Sequence, residues 1–159
     1  VDIEHLTHDQ QEALIIADLL AIMNAGRIEQ VGTFEDIYDR PTNVFAGFLN
    51  LEVHTPPLNL LEGRYVAEGL GDVLIGARPE DTHASREQKE NWIRATVKDR
   101  FHLPVKDVTV LTLRVGENEV VARAPIKEHF ALNDEVWLNL TRYHVFEKKS
   151  GRRVRTHPA

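Results

Sequence analysis

The sequence predicts a chain of mixed α and β structure in two parts: an α/β piece over residues 1–50, then an all-β barrel or sandwich over 51–159. Three observations predict it. The first fifty residues read as helix, hairpin and helix. The remainder reads as short alternating strands with no helical period between them. The charge breaks at the same place: residues 1–50 carry nine acids and two bases, residues 51–159 carry sixteen acids and seventeen bases, and the first lysine is Lys89.

Val1–Thr7 reads as the end of a strand. Asp9 then caps a helix, with Glu12 three residues on at capping-box spacing, and Ala13, Ile16, Ala17 and Leu20 recur at helical spacing towards a core. That helix ends near Asp18 or Leu19. Leu20–Met23 and Arg27–Val31 flank Asn24-Ala25-Gly26 as a hairpin, Gly26 taking the positive φ. Thr33 caps a second helix with Asp36 three residues later, and Pro41 stops it after about Arg40.

After about Asn50 the character changes. His54-Thr55-Pro56-Pro57 reads as extended or loop-like, since a residue before proline avoids the helical region. Strands follow at Val73–Ala77, Trp92–Phe101, Thr109–Val115, Val120–Ala124 and Val136–Leu140, with Gly116–Asn118 as a turn. Ile93, Ala95 and Val97 alternate with Arg94, Thr96 and Lys98; Val136, Leu138 and Leu140 share a face with Trp137 opposite. Ser85–Glu90 reads as a solvated loop or short helix, and Lys148–Arg155, with five bases and no acid, as a solvated tail.

Composition narrows the function classes. With 42% apolar and 28% charged residues, a disordered tail, a collagen-like rod and a coiled coil are excluded. No cysteine is present, so disulfides, zinc ribbons, iron–sulfur clusters and cysteine nucleophiles are excluded too. No apolar run is long enough for a membrane span; the most hydrophobic window, Ala13–Met23, is interrupted by Asp18. The acidic start does not read as a signal peptide. Without an initiator Met, the chain is expected to begin inside a larger protein or to follow processing. A net charge of −6 argues against nucleic acid as a partner. His5 and His8 are three apart beside Asp9, but a strand-to-loop segment does not converge two imidazoles and no third ligand is evident, so no metal is expected.

Thr7-His8-Asp9-Gln10-x-Glu12-Ala13 with Ala17-Asp18, then Met23-Asn24-Ala25-Gly26-Arg27-Ile28-Glu29-Gln30-Val31-Gly32, Tyr38-x-x-Pro41-x-Asn43 and Phe45-Ala46-Gly47-Phe48, resembles the switch region of ABC transporter ATPases of the maltose-type sugar-importer family. The resemblance implies that residues 1–50 are the C-terminal end of an ABC ATPase domain. His8 is then the switch histidine that senses the γ-phosphate of ATP; a partly buried polar cap is the alternative for it. The P-loop, the Leu-Ser-Gly-Gly-Gln signature and the magnesium-holding Asp-Glu pair are absent. ATP and Mg are therefore implied for a full-length parent, and no cofactor or activity for this stretch alone. Asn50 stands where the family often has glycine, and the Phe-x-Ala segment is one residue short.

Gly76-Ala77-Arg78-Pro79-Glu80-Asp81 resembles the Gly-x-Arg-Pro-Glu element of the transport-associated oligomer-binding-like (TOBE) domain that follows the ATPase core in these subunits. Val121-Ala122-Arg123-Ala124-Pro125, Asp134-Glu135-Val136 and His144-x-Phe146-x-x-x-x-Gly151 fit its later strands. The resemblance implies an OB-like regulatory domain at 51–159, a homodimer through it, membrane permease subunits and a possible cytoplasmic regulator as partners, and a cytoplasmic location peripheral to the membrane. Arg78 and Glu80 read either as an ion pair holding a strand to the barrel or as ligand contacts. Trp92 and Trp137 read as stacking platforms or as core and interface anchors, Trp137 favouring an interface. From another class, the chain reads as a stand-alone binding module for a small ligand or regulatory protein. With most of the ATPase sheet lacking, the apolar face of the first helix is expected to be exposed or covered by self-association.

Overall fold

The computed structural model describes residues 5–9, 12–13, 17–48 and 58–158. The chain forms two compact units, Val1–Pro57 and Leu58–Ala159.

In the first unit, residues 5–7 are not a strand; the predicted strand end is otherwise outside the described residues. Asp9 does cap. Its side chain accepts from the Glu12 N–H at 3.2 Å, and its carbonyl accepts from Ala13 N at 3.2 Å. The helical bonding ends with Ala17 N on Ala13 O. Ala17 is exposed rather than core-facing, because the chain has already left the helix there, and Leu20 is buried as a strand residue instead.

Strands β1 (Leu20–Asn24) and β2 (Arg27–Gly32) form the predicted hairpin. Its turn takes positive φ at both Ala25 (48°) and Gly26 (77°), the pairing that matches strand twist in a two-residue loop. Helix α1 (Phe34–Asp39) carries a complete capping box: Thr33 Oγ1 accepts from Asp36 N, and the Asp36 carboxylate accepts from Thr33 N. Those bonds to Thr33, the backbone one foremost, hold the Asp36 carboxyl below its usual range. A second helix, α2 (Val44–Phe48), opens where Asn43 Oδ1 accepts from Ala46 N at 2.9 Å; the sequence reading had no element there. Leu20 and Ile37 form a small core with Ala13, Ile22, Phe34 and Tyr38 against it.

The hairpin is apolar on both faces. Leu20 and Ile22 serve that core, while Ala21 pairs with Val31 and Met23 with Ile28 on the other side. There Leu19, Met23, Ile28 and Val31 are 51–65% exposed. Exposed apolar surface of this kind drives association.

The second unit combines a four-stranded sheet and a closed barrel. Strands β3 (Asn59–Glu62), β4 (Val73–Ala77), β10 (Tyr143–Glu147) and β11 (Arg153–His157) form the sheet in the order β11-β10-β4-β3, all neighbours antiparallel. Strands β5 (Thr82–Ser85), β6 (Ile93–Leu103), β7 (Val108–Val115), β8 (Asn118–Pro125) and β9 (Glu135–Leu140) close in the order β5-β8-β7-β6-β9, with β9 returning antiparallel to β5. Only the β5–β8 contact is parallel. Closure leaves no open edge around the ring.

The alternations read from the sequence fill this barrel. Ile93, Ala95 and Val97, then Leu111, Leu113 and Val115, then Val120 and Ala122, then Val136 and Leu138 are all buried in one cluster, with Phe130 from the β8–β9 loop. Leu61, Ile75 and Val145 from the sheet join the same cluster, so one face of the sheet closes onto the barrel. Four strands of this unit are not among those read from alternation: β3 and β5, each only four residues long, and β10 and β11. The supposed basic tail is strand β11 plus its turn, because Tyr143, His144, Val145 and Phe146 supply a ladder that no local signal announces. His54–Pro57 lies outside the described residues.

Gly76 explains one motif position. A Cβ there would sit 2.4 Å from Leu58 Cδ2 and 2.7 Å from Phe146 Cε2, both fully packed side chains. Gly76→Ala is expected to cost about 1–3 kcal/mol, read as a lower urea midpoint at unchanged m-value. The uncovered hairpin face predicts concentration-dependent self-association in light scattering, relieved by the pair Ile28→Glu and Val31→Lys; a monodisperse monomer at high concentration would contradict it.

Candidate functional site

Three places carry the residues singled out from the sequence. The first is the segment around His8, an exposed bend residue between two neighbours that are held firmly. Thr7 Oγ1 accepts from Asp9 N at 2.9 Å and donates to Glu12 Oε2 at 2.9 Å; His5 Nε2 lies 3.4 Å from that same carboxylate oxygen. The cap thus fixes the backbone on both sides of His8 while its imidazole faces solvent. His8 is not the half-buried polar cap of the alternative reading: Asp9 does the capping.

The second place is the motif turn. Arg78 follows β4 directly and is 5% exposed; it caps the tight turn Pro79–Asp81 that leads into β5. Its carbonyl accepts from Asp81 N at 2.9 Å and from the buried Thr82 hydroxyl at 3.0 Å. Burial, and next the neighbouring Glu80, push the Asp81 carboxyl above its ordinary range, with Arg142 opposing. Thr141 ties this turn to the β9–β10 connection, donating from its N–H to Asp81 O at 2.9 Å.

Next to the turn lies Asn59, which sequence reasoning missed. Its side-chain oxygen accepts from Val121 N at 2.8 Å, and its Nδ2 donates to Val121 O at 2.7 Å and to Thr82 Oγ1 at 3.1 Å. The amide mimics a strand residue and joins β3 to β8. The only sequence signal for it is a polar residue opening a short apolar run. His144, placed by the sequence in a later-strand motif without a role of its own, is the second such residue. It sits in mid-β10, 4% exposed, with Nδ1 2.8 Å from Thr156 Oγ1. Burial, then Arg153, Arg142 and Arg78, push its imidazole down to about 4.

The third place is the barrel wall. Arg123 lies on β8 opposite His83, and Trp137 on β9 opposite Ser85. Because His83 and Ser85 are two apart on β5, Arg123 and Trp137 share the outer face, both half-buried. Trp137 points away from the packed core, as its alternation predicts, with Arg94 beside it across the ladder from β6. Trp92 lies in the turn before β6, where Lys89 Nζ stands 4.8 Å from its ring centroid. Arg78 and Glu80 belong to the turn, not to this wall. The chosen residues are therefore spread over separate surfaces.

These features define a class: a capped helix–hairpin–helix unit followed by a barrel unit with an appended sheet. No protein-family model matches the chain. Curated relatives do. The sn-glycerol-3-phosphate import ATP-binding protein UgpC of Cereibacter sphaeroides is 33% identical over 94% of this chain and 46% of its own length. The sulfate/thiosulfate import ATP-binding protein CysA of Acinetobacter baylyi is 29% identical over 89% of this chain and 44% of its own. The trehalose/maltose import ATP-binding protein MalK of Thermococcus litoralis is 28% identical over 94% and 48%. Over 94% of its length the chain is similar to ATP-binding subunits of ABC importers. It spans somewhat less than half the length of the curated relatives it matches.

Asn59→Ala strands the Val121 N–H and C=O without their side-chain partner. The expected loss is about 1–3 kcal/mol of unfolding free energy, measured by urea denaturation, with far-UV circular dichroism of the folded state unchanged.

Proposed function

We propose that this chain is the C-terminal portion of the ATP-binding subunit of an ABC importer for a sugar or related solute. In this reading residues 1–50 are the end of the ATPase domain, and residues 51–159 are the OB-like TOBE domain that regulates and dimerises it. The observation that carries the reading is the run from Thr7 to Phe48. The motif order that resembles the switch region falls on a cap, hairpin, capping box and second helix that interlock through their own side chains. Gln30 Nε2 donates to Arg40 O at 3.1 Å, its Oε1 accepts from Thr42 N at 2.9 Å, and Asn43 Nδ2 donates to Glu29 at 2.7 Å. The motif residues thus hold their own unit together and leave His8 outward.

His8 is the γ-phosphate sensor in this reading. Its imidazole N–H donates to a γ-phosphate oxygen, so its contact exists before hydrolysis and is lost after it. ATP and Mg are held by the P-loop and acidic pair of the complete subunit. Closure of two such subunits then drives the membrane partner between its states. Arg123 and Trp137, on the outer barrel wall with β5 between their strands, are the candidates for the dimer or regulator contact. In the cell the subunit sits on the cytoplasmic side, held to the membrane through its permease.

Two measurements test this. The chain alone is expected to bind no ATP-Mg by isothermal titration at micromolar protein. In a complete subunit that includes the P-loop half, His8→Ala is expected to cut ATP turnover by about 100-fold or more while leaving nucleotide affinity within a few-fold. Unchanged turnover in that variant would remove His8 from the role. ATP hydrolysis by this chain alone would contradict the reading.

A further inference from the structure

We propose that His144 is an acid-sensitive latch for the edge strand β11: when the imidazole takes up a proton, β11 loosens from β10 while the barrel stays closed. Strand β11 is the end of its sheet, paired only with β10 among the described strands. His144 lies at the centre of that sheet, opposite Gly76 of β4 on one side and Thr156 of β11 on the other. Its Nδ1 is 2.8 Å from Thr156 Oγ1, and the Phe146 ring lies tilted against it at 6.1 Å. The neutral ring is thus a side-chain link between β10 and the outermost strand, beside the Tyr143–His157 stack.

The charges that act on this imidazole are all cationic. Arg78 stands at the end of β4, Arg142 just before β10, and Arg153 on β11 itself. On the β3 side, Leu58 packs into the space over Gly76 and offers no charge. Glu80 and Asp81 lie in the turn after Arg78, where Asp81 interacts with Arg142, and His157 of β11 stacks on Tyr143 at 4.9 Å. A proton added to His144 would therefore sit in a desolvated place facing three guanidinium groups, one of them carried by the strand it holds. Moving β11 outward relieves both costs, since it admits water and separates Arg153 from the ring. The barrel closes through β5 to β9 and uses neither β10 nor β11, so opening can remain local.

The sign follows from linkage. An opened β11 leaves His144 near its ordinary value of about 6.5, whereas closure holds it near 4. Above about pH 6.5 both states are neutral and pH has no effect; between there and 4 the opened state alone is protonated, and opening grows up to about tenfold per pH unit.

Amide hydrogen exchange on the whole chain tests this. Corrected for intrinsic exchange, protection at Arg155 and Thr156 is expected to fall about 100-fold from pH 6.5 to 4, while Leu111 and Leu113 in the barrel fall much less. His144→Gln and His144→Phe should flatten the β11 slope, and Asp81→Asn should leave it intact. Wild-type β11 protection that tracks the barrel across the range overturns the latch, as does a slope that persists without the imidazole. If neither variant folds, the wild-type comparison of β11 with the barrel decides.

Discussion

The second unit depends on one side-chain amide. A barrel and an open sheet share a core, but their ladders do not run into one another, so a seam of unpaired backbone would lie between β3 and β8. Asn59 closes it by giving Val121 the acceptor and the donor that a strand residue would have given, at 2.8 and 2.7 Å. Its second N–H reaches Thr82, whose hydroxyl in turn donates to Arg78 O. Two covalently distant strands, the motif turn and the first barrel strand are thus one buried hydrogen-bonded chain. In a desolvated place each of those bonds is costly to lose, which is why a single amide can set the geometry of the whole seam.

Around that seam the apolar packing follows. The inward faces of β6 to β9 fill the barrel, and Leu61, Ile75 and Val145 of the sheet close over it. The other face of the sheet is packed differently, with Leu58 and Phe146 meeting over Gly76 and His144 lying between β4 and β11. The Gly-x-Arg-Pro-Glu element therefore has a structural account at its glycine, its proline and the carbonyl of Arg78. Glycine admits two side chains, Pro79 starts the turn, and the Arg78 carbonyl anchors Thr82.

In the first unit polar side chains do much of the joining. Among the described residues Leu20 and Ile37 form a buried cluster with Ala13, Ile22, Phe34 and Tyr38 against it. The Thr33–Asp36 capping box holds the start of α1, and Gln30, Glu29, Thr42 and Asn43 join the hairpin to the segment between the helices. The second face of the hairpin carries the exposed Leu19, Met23, Ile28 and Val31.

Much of this was legible beforehand. The hairpin turn, both N-caps and the inward positions of β6, β7 and β9 follow from rules that act within a few residues: positive φ at Gly26, a carboxylate three residues from its partner, a period of two. The charge changes near residue 50, whereas the two compact units divide between Pro57 and Leu58, and the family resemblance shows as an ordered run of motifs. What local rules could not reach was pairing between distant segments. Strand β11 looks like a basic tail until β10 supplies its ladder, Thr82–Ser85 looks like loop until β8 and β9 flank it, and Asn59 is unremarkable until Val121 lies beside it, 62 positions away. The sequence by itself determined the elements and which of their faces are apolar, because those preferences are short-range. Only the tertiary structure decided which edges meet, because backbone groups are alike along the chain and burial alone selects their partners.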